Sequence, residues 1–307
     1  MKKWLVPLSL VFVLLISACS SGNTDKDKNS TSSDNKEEMV TYQSESGSVK
    51  VPKNPKRVVV LSSFAGNLAS LDVNIVGVDS WAKDNPRYNK YLKDAEVVSE
   101  DDLEKIIELN PDLIVGLSTT KNIDKLKDIA PTVTYTWGKL DYLEQQIEIG
   151  KLVGKEDEAQ KWVDDFKKRA QQAGKDVKAK IGEDATVSVI ESANKELYVF
   201  GDNWARGTEV LYQGMGLKMP EKVKQDALKE GYRSISAEVL PQYAGDYIIF
   251  SKSSEADNSF QQTETYKNIP AVKNRHVFEM DAKEAYFSDP ITLDYQLDFF
   301  KKSFLGK

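Results

Sequence analysis

The strongest constraint on this chain is a motif that occurs twice. Residues 102–115, DLEKIIELNPDLIV, and residues 236–249, SAEVLPQYAGDYII, each carry an early glutamate, a chain-stopping pair and an aspartate that leads an apolar strand. Glutamate and aspartate stand eight residues apart in both copies, Glu104 to Asp112 and Glu238 to Asp246. A short helix that delivers the chain into a buried apolar run belongs to a strand–helix–strand unit, and such units build parallel sheets. Two copies predict two related α/β lobes.

The flanking pattern agrees. Val58–Leu61, Asn74–Val78, Val97–Val98, Asp112–Leu117 and Pro131–Tyr135 read as strands, with helical stretches after Ser63, over Asp101–Leu109 and over Lys121–Ile129. Thr41–Val51 reads as a hairpin turning near Gly47, and Tyr142–Val153 as an amphipathic helix closed by Gly154. From Glu156 to about Ile181 the chain is heavily charged, with Ala159, Trp162, Val163, Phe166, Ala170 and Val177 as its apolar residues. A helix polar over most of its circumference bridges two bodies through solvent, which predicts a rigid strut. Thr186–Ile190 then opens a second half like the first, ending with a strand at Val277–Met280 and a helix at Thr292–Phe304. The expected fold class is α/β, two α/β lobes (41–155 and 183–307) with largely parallel sheets, joined by a long rigid helix (156–182).

The N-terminal stretch reads as an address. Lys2 and Lys3 precede an apolar run, Trp4–Ile16, too short to span a bilayer comfortably, and Ile16-Ser17-Ala18-Cys19 places small residues before the only cysteine. This resembles a bacterial lipobox, so residues 1–18 are expected to be a signal peptide and Cys19 the lipidated first residue. Diacylation anchors stably where one chain does not. Residues 19–40, almost devoid of apolar side chains, are expected to be a flexible tether reaching roughly 20 to 30 Å. A formal charge of −6 with no basic stripe argues against nucleic acid.

Enzyme signatures are scarce. GxSxG, HExxH, P-loop and GxGxxG patterns are missing, and the single histidine, His276, precedes a strand in what reads as a surface turn. One histidine and one cysteine make a poor zinc or copper site. The chemistry concentrates instead in LYVFGDNWARGTEVLYQGMGLK, residues 197–218, where Trp204 and Arg206 follow a turn at Gly201-Asp202-Asn203. Arginine offers a planar fork of donors to metal-polarised or anionic oxygens, while aromatic rings cover carbon. Loops beyond strand ends are where open α/β sheets hold ligands. The candidate cleft set on those loops is Trp137, Tyr198, Trp204, Arg206 and Tyr286, with Trp81, Tyr88 and Tyr91 as an aromatic loop at the rim and Trp162 assigned to core packing.

Lipobox, tether, two lobes and strut together resemble the class III substrate-binding lipoproteins of ABC importers. Tyr142-Leu143-Glu144-Gln145-Gln146, Leu152-Val153-Gly154-Lys155-Glu156-Asp157, Gly201-Asp202-Asn203-Trp204-Ala205-Arg206-Gly207 and Asp289-Pro290-Ile291-Thr292-Leu293-Asp294-Tyr295 are similar to the ferric hydroxamate siderophore-binding branch. The resemblance covers essentially the whole mature chain. It implies a non-enzymatic, monomeric protein on the extracytoplasmic face of a Gram-positive cell membrane, with no cofactor of its own. Its ligand would be a ferric hydroxamate siderophore, in which three bidentate hydroxamates fill the octahedral iron, so no protein metal ligand is implied. Tyr198, Trp204 and Arg206 fall in that family's pocket, Trp137 where it often has an aromatic, and Tyr286 at a position open to tryptophan. Glu104 and Glu238 match the glutamates that meet permease arginines. The residues leave open another large chelate (catecholate siderophore, haem or cobalamin) and, from a different class, a lipid-anchored hydrolase. A trianionic tris-catecholate would favour several basic pocket residues, and only Arg206 is in view.

Overall fold

Each aspartate of the repeated motif ties down the strand beside the one it leads. In the computed structural model, which describes residues 38–306 except 194 and 195, Asp112 accepts the backbone N–H groups of Lys56 and Arg57 just before β3 (Val58–Val60). Asp246 accepts the N–H and hydroxyl of Thr186, at 2.8 and 2.9 Å, just before β8 (Val187–Ala193). A strand's entry would otherwise leave its first donors unpaired. The expected signal segment, Cys19 and most of the tether lie outside the described residues. Met39 and Val40, assigned above to the tether, already belong to β1 (Met39–Ser44), which pairs with β2 (Gly47–Pro52) in the expected hairpin.

The first sheet has five strands: β3, β4 (Ile75–Val78), β5 (Glu96–Val97), β6 (Leu113–Leu117) and β7 (Thr132–Tyr135). They lie in the order β5-β4-β3-β6-β7 with every neighbouring pair parallel. The second combines β8 with β9 (Glu196–Phe200), β10 (Tyr232–Ile235), β11 (Tyr247–Lys252) and β12 (Val277–Asp281), in the order β10-β9-β8-β11-β12. Counted from its own first strand, each sheet has the same spatial order, so the two halves share a plan. They differ in one strand, because β9 runs antiparallel to both β8 and β10. The step from Ala193 to Glu196 is too short for the crossover that a parallel neighbour requires, so the chain turns straight back. A second departure is at Glu238. Glu104 sits on the helix Leu103–Glu108, whereas Glu238 lies in a turn before a single 3₁₀ turn, Leu240–Gln242, where Pro241 has no N–H to extend a helix.

Alternation along the central strands separates two cores per sheet. Val58 and Val60 pack with Leu113, Val115 and Ile149, while Val59 faces Ile106, Ile114 and Leu126. Val187 and Val189 similarly face one side of the second sheet and Ile190 the other.

The long helix, Glu156–Ile181, is as long as expected but does not bridge through solvent. Ala159, Val163, Phe166, Ala170, Ala173, Gly174 and Val177 form a fully buried stripe at three- and four-residue spacing. Small residues let it approach closely: a Cβ on Gly174 would sit 2.0 Å from the Met215 carbonyl oxygen. Ala159 joins the core of the first half, and the rest of the stripe packs on Val187, Val189 and Phe300 of the second. Trp162 is half-buried, stacked on Phe166 at 5.0 Å with its indole N–H on Asp294, 3.1 Å away in the closing helix Pro290–Leu305. Among the described residues no helix is long and apolar enough to cross a membrane.

Candidate functional site

A cavity of about 770 Å³ opens between the two sheets, a size that suits a bulky small-molecule ligand. Its first wall comes from segments that follow parallel strands: Leu61–Phe64 after β3, Asp79 and Trp81 after β4, and Trp137–Tyr142 after β7. Of these, Trp137 and the Trp81 loop were expected; the others follow the same rule, since parallel strands point their C-terminal ends at one edge. The second wall consists of Asp202, Asn203, Arg206, Glu209 and Gln213, with Tyr286, Phe287 and Ser288 beyond β12.

Of the five cleft residues expected from the sequence, Trp137, Arg206 and Tyr286 line this cavity. Trp204 and Tyr198 do not. They continue instead into an aromatic row beside it: Trp137 meets Trp204 at 6.3 Å, Trp204 meets Tyr232 at 5.2 Å and Tyr232 meets Tyr198 at 6.0 Å. The reversed β9 explains the division. Its C-terminal residue lies beside the N-terminal half of β8, so the loop that follows leaves from the wrong end of the sheet and must fold back to reach the cavity. Three consecutive residues with positive φ, Ala205 (55°), Arg206 (55°) and Gly207 (86°), make that turn. Left-handed backbone at two non-glycine residues costs of order 1 kcal/mol each and persists only where the surroundings enforce it. Here the Arg206 N–H donates to the Ala285 carbonyl at 2.8 Å, the Ala205 N–H to Glu209 at 3.0 Å, and the Trp204 N–H to the Thr208 hydroxyl at 3.0 Å. The turn brings Arg206 inward and leaves the Trp204 ring outside, on the bare backbone of Gly231.

Arg206 is not a free cation. Its Nε and Nη2 donate to the two carboxylate oxygens of Glu191, each at 3.0 Å, and Nη1 donates to the Trp204 carbonyl at 3.3 Å. Glu191 is buried on β8, and the Ser251 hydroxyl adds a third donor to it at 2.6 Å. The guanidinium carbon also lies 4.8 Å from the Tyr286 ring centroid and 5.1 Å from that of Phe200. Five N–H groups less these three leave two for a ligand. Glu191 was not singled out from the sequence, where it is one acidic residue among 48.

The remaining charged residues of the lining are carboxylates. Among the described residues it carries Asp79, Asp141, Asp202 and Glu209 and no lysine. Burial raises the pKa of Asp79 and of Glu209. Asp141 is occupied in a capping box at the start of the helix Tyr142–Leu152. Glu209 opens a π-helical turn, Glu209–Gly214, and accepts from Ser288 at 2.9 Å, which ties the loop after β12 to the loop after β9. Unpartnered buried atoms on Ser62, Asp79 and Gln145 belong to the first wall. Among the described residues no group of three or more His, Cys, Asp or Glu side chains forms a metal site.

The loop after β12 is held from both sides. Trp81 packs on Tyr286 at 5.2 Å, Arg87 pairs with Glu284 at 3.0 Å, and Tyr88 lies 5.5 Å from Phe287. The fully buried Tyr88 donates its hydroxyl to Asp289, which caps the closing helix through the N–H groups of Ile291 and Thr292. Of the three rim aromatics, Trp81 therefore lines the cavity and Tyr88 braces it from behind, while Tyr91 packs partly buried against the first core. Glu104, on its helix, and Glu238, in its turn, are exposed and away from the cavity lining.

Two sheets of one strand order, a packed helix between them and a ligand-sized cavity at their junction define a two-lobed solute-binding fold, and the chain belongs to the periplasmic binding protein family, whose model matches residues 58–284. It is 39% identical over 302 residues to the iron(3+)-hydroxamate-binding protein FhuD of Bacillus subtilis (strain 168), covering 96% of this chain and 95% of that protein. Among solved structures it is similar to the FhuD protein from S. pseudintermedius, with a TM-score of 0.78 and 41% identity over 88% of this chain and 99% of that one. It also matches FhuD2 from Staphylococcus aureus with bound ferrioxamine B, with a TM-score of 0.78 and 38% identity over 82% of this chain and 99% of that one.

Proposed function

We propose that this protein is the lipid-anchored substrate-binding component of an ABC importer, which captures ferric hydroxamate siderophores and hands them to a membrane permease. The observation that carries the choice of ligand is the bidentate pairing of Arg206 with buried Glu191. Three hydroxamates and one ferric ion sum to a neutral chelate. A cavity whose one cation among the described residues is already neutralised, and whose other charged groups there are carboxylates, suits such a guest. A trianionic tris-catecholate would meet uncompensated like charge there. Trp81, Trp137, Tyr286 and Phe287 cover alkyl linkers at about 25 cal/mol per Å² of apolar area removed from water. The two spare N–H groups of Arg206 reach for hydroxamate oxygens, each bond contributing about 1.5 to 3 kcal/mol. Trp204 and Tyr198 serve as the outer part of the same aromatic surface. The relatives named as hydroxamate binders, and the one holding ferrioxamine B, support this reading.

In the same proposal residues 1–18 are a signal peptide, Cys19 carries the lipid, and residues 19–38 tether two lobes, 39–155 and 183–307, joined by the helix Glu156–Ile181, to the outer face of a Gram-positive membrane. Glu104 and Glu238 dock the permease while the protein acts as a monomer. Titration of tryptophan fluorescence with a panel of ferric siderophores tests the ligand class, since ferric chelates quench nearby indoles. Hydroxamates should bind most tightly. Arg206→Ala should weaken that binding at least about tenfold, the loss of one well-formed bond of about 1.4 kcal/mol; unchanged affinity would take Arg206 out of the site.

A further inference from the structure

The Arg206–Glu191 pair is a poor device for stability alone. Two charges buried together lose hydration that their attraction barely repays, and well-packed apolar residues commonly do as well or better. The pair is nevertheless held by strained backbone at Arg206, by a third donor from Ser251 and by rings on both sides. Glu191 follows Val187 and Val189 on the face of β8 otherwise packed with apolar residues, and its side chain is only 4% exposed. Arg206, at 16%, keeps contact with the cavity. The carboxylate is thus the hidden member of the pair and the guanidinium the presented one.

We propose that Glu191 is a specificity-determining residue: by cancelling the charge of Arg206 it makes the cavity accept chelates of zero net charge and reject anionic ones. Arg206 then acts as a hydrogen-bond donor of fixed direction, because both of its bonds to Glu191 lock the plane of the fork. Without the carboxylate, the same arginine would present its fork to the cavity without a bidentate partner, and a ligand carboxylate or catecholate would be recruited more readily in place of Glu191. This rests on the hydroxamate reading above and adds to it the charge rule that separates one iron chelate from another.

The test uses the purified full chain and two ferric tris-hydroxamates built on one scaffold, one ending in a neutral amide and the other in a carboxylate. Affinities are read from tryptophan quenching at fixed ionic strength. Wild type should favour the amide form, and Glu191→Gln should move the ratio at least about tenfold toward the carboxylate form, the effect of one unit charge acting across a few ångströms of protein. Glu191→Asp, which shortens the side chain but retains its charge, should keep the wild-type ratio; a shift as large as that of Glu191→Gln would follow shape rather than charge and overturn the proposal. A Glu191→Gln ratio equal to wild type overturns the proposal. Should Glu191→Gln not fold, Arg206→Gln is compared with the Arg206→Gln, Glu191→Gln double variant, which differ only at Glu191; equal ratios in those two overturn it as well. A wild type that prefers the ferric tris-catecholate refutes the hydroxamate reading instead, and the change of ratio on removing Glu191 still judges its role separately.

Discussion

Tyr88 gives the sharpest test of how the cavity is held open to its ligand. Its phenol is fully buried and donates to Asp289, which in turn receives the hydroxyl of Thr292 at 2.8 Å and the N–H groups of Ile291 at 3.0 Å and Thr292 at 3.3 Å. Tyr88→Phe removes one oxygen and no carbon, so the ring contact with Phe287 survives and no large void appears. What is lost is a donor to a buried carboxyl group, about 1.5 to 3 kcal/mol when the acceptor is ionised and about 1 kcal/mol when it is neutral. Burial already raises the Asp289 pKa, while its donors, Tyr88 foremost among them, pull it down. A carboxyl whose pKa is higher folded than unfolded favours the fold most below the unfolded value, and loses that contribution as pH rises through the folded value. Removing Tyr88 raises the folded pKa further, so the variant should lose more stability at pH 7 than at pH 4. Urea unfolding followed by circular dichroism should show a loss of about 2 kcal/mol at pH 7 and about 1 kcal/mol at pH 4. Equal losses at the two pH values, or none above about 0.5 kcal/mol, would refute the coupling of phenol and carboxyl.

Other outcomes follow from single contacts. A methyl group at Gly231, where φ is 85°, would sit 2.5 Å from the Trp204 ring. Gly231→Ala should therefore displace that indole, change the near-ultraviolet circular dichroism and cost about 1 to 3 kcal/mol in an unfolding titration. Glu104→Ala and Glu238→Ala remove exposed charges away from the cavity and should leave siderophore affinity unchanged in solution, while the double variant loses iron uptake in cells; normal uptake would remove both from the permease contact.

Much of the fold was legible because its signals are local. Four of the five strands of the first sheet are short runs of buried, mostly apolar residues, and the positions expected for all five agree with the structure to within a residue or two. The repeated Glu–Asp spacing was informative for a reason invisible in one dimension: each aspartate closes off the neighbouring central strand. The reversal of β9 was harder to see. Strand direction depends on how many residues separate two strands, and the polar stretch Glu191–Glu196 between Ile190 and Leu197 does not itself mark where one strand ends and the next begins. The long helix was misread for a related reason. Ala173 and Gly174 were left out of the apolar count, yet both belong to the buried stripe, and Gly174 lets the helix lie against the Met215 backbone.

The site shows where local reading stops. Arg206 could be found because a guanidinium beside an indole on a glycine-flanked loop is an unusual combination, but the sequence carries no mark of whether such an arginine arrives free or already paired. Glu191 lies fifteen residues earlier, on a strand whose other inward residues are valines. An acidic residue in that register is the one available signal, since an unpaired carboxylate among valines would be prohibitively costly to bury. It therefore demands a cation, and Arg206, on the loop after the reversed β9, supplies it. Two residues read as one unit give the expected hydroxamate a physical reason, because a paired guanidinium suits a neutral chelate with its oxygens turned outward, and that charge balance, more than the aromatic lining shared by many cavities, is what the proposal uses to discriminate among iron carriers.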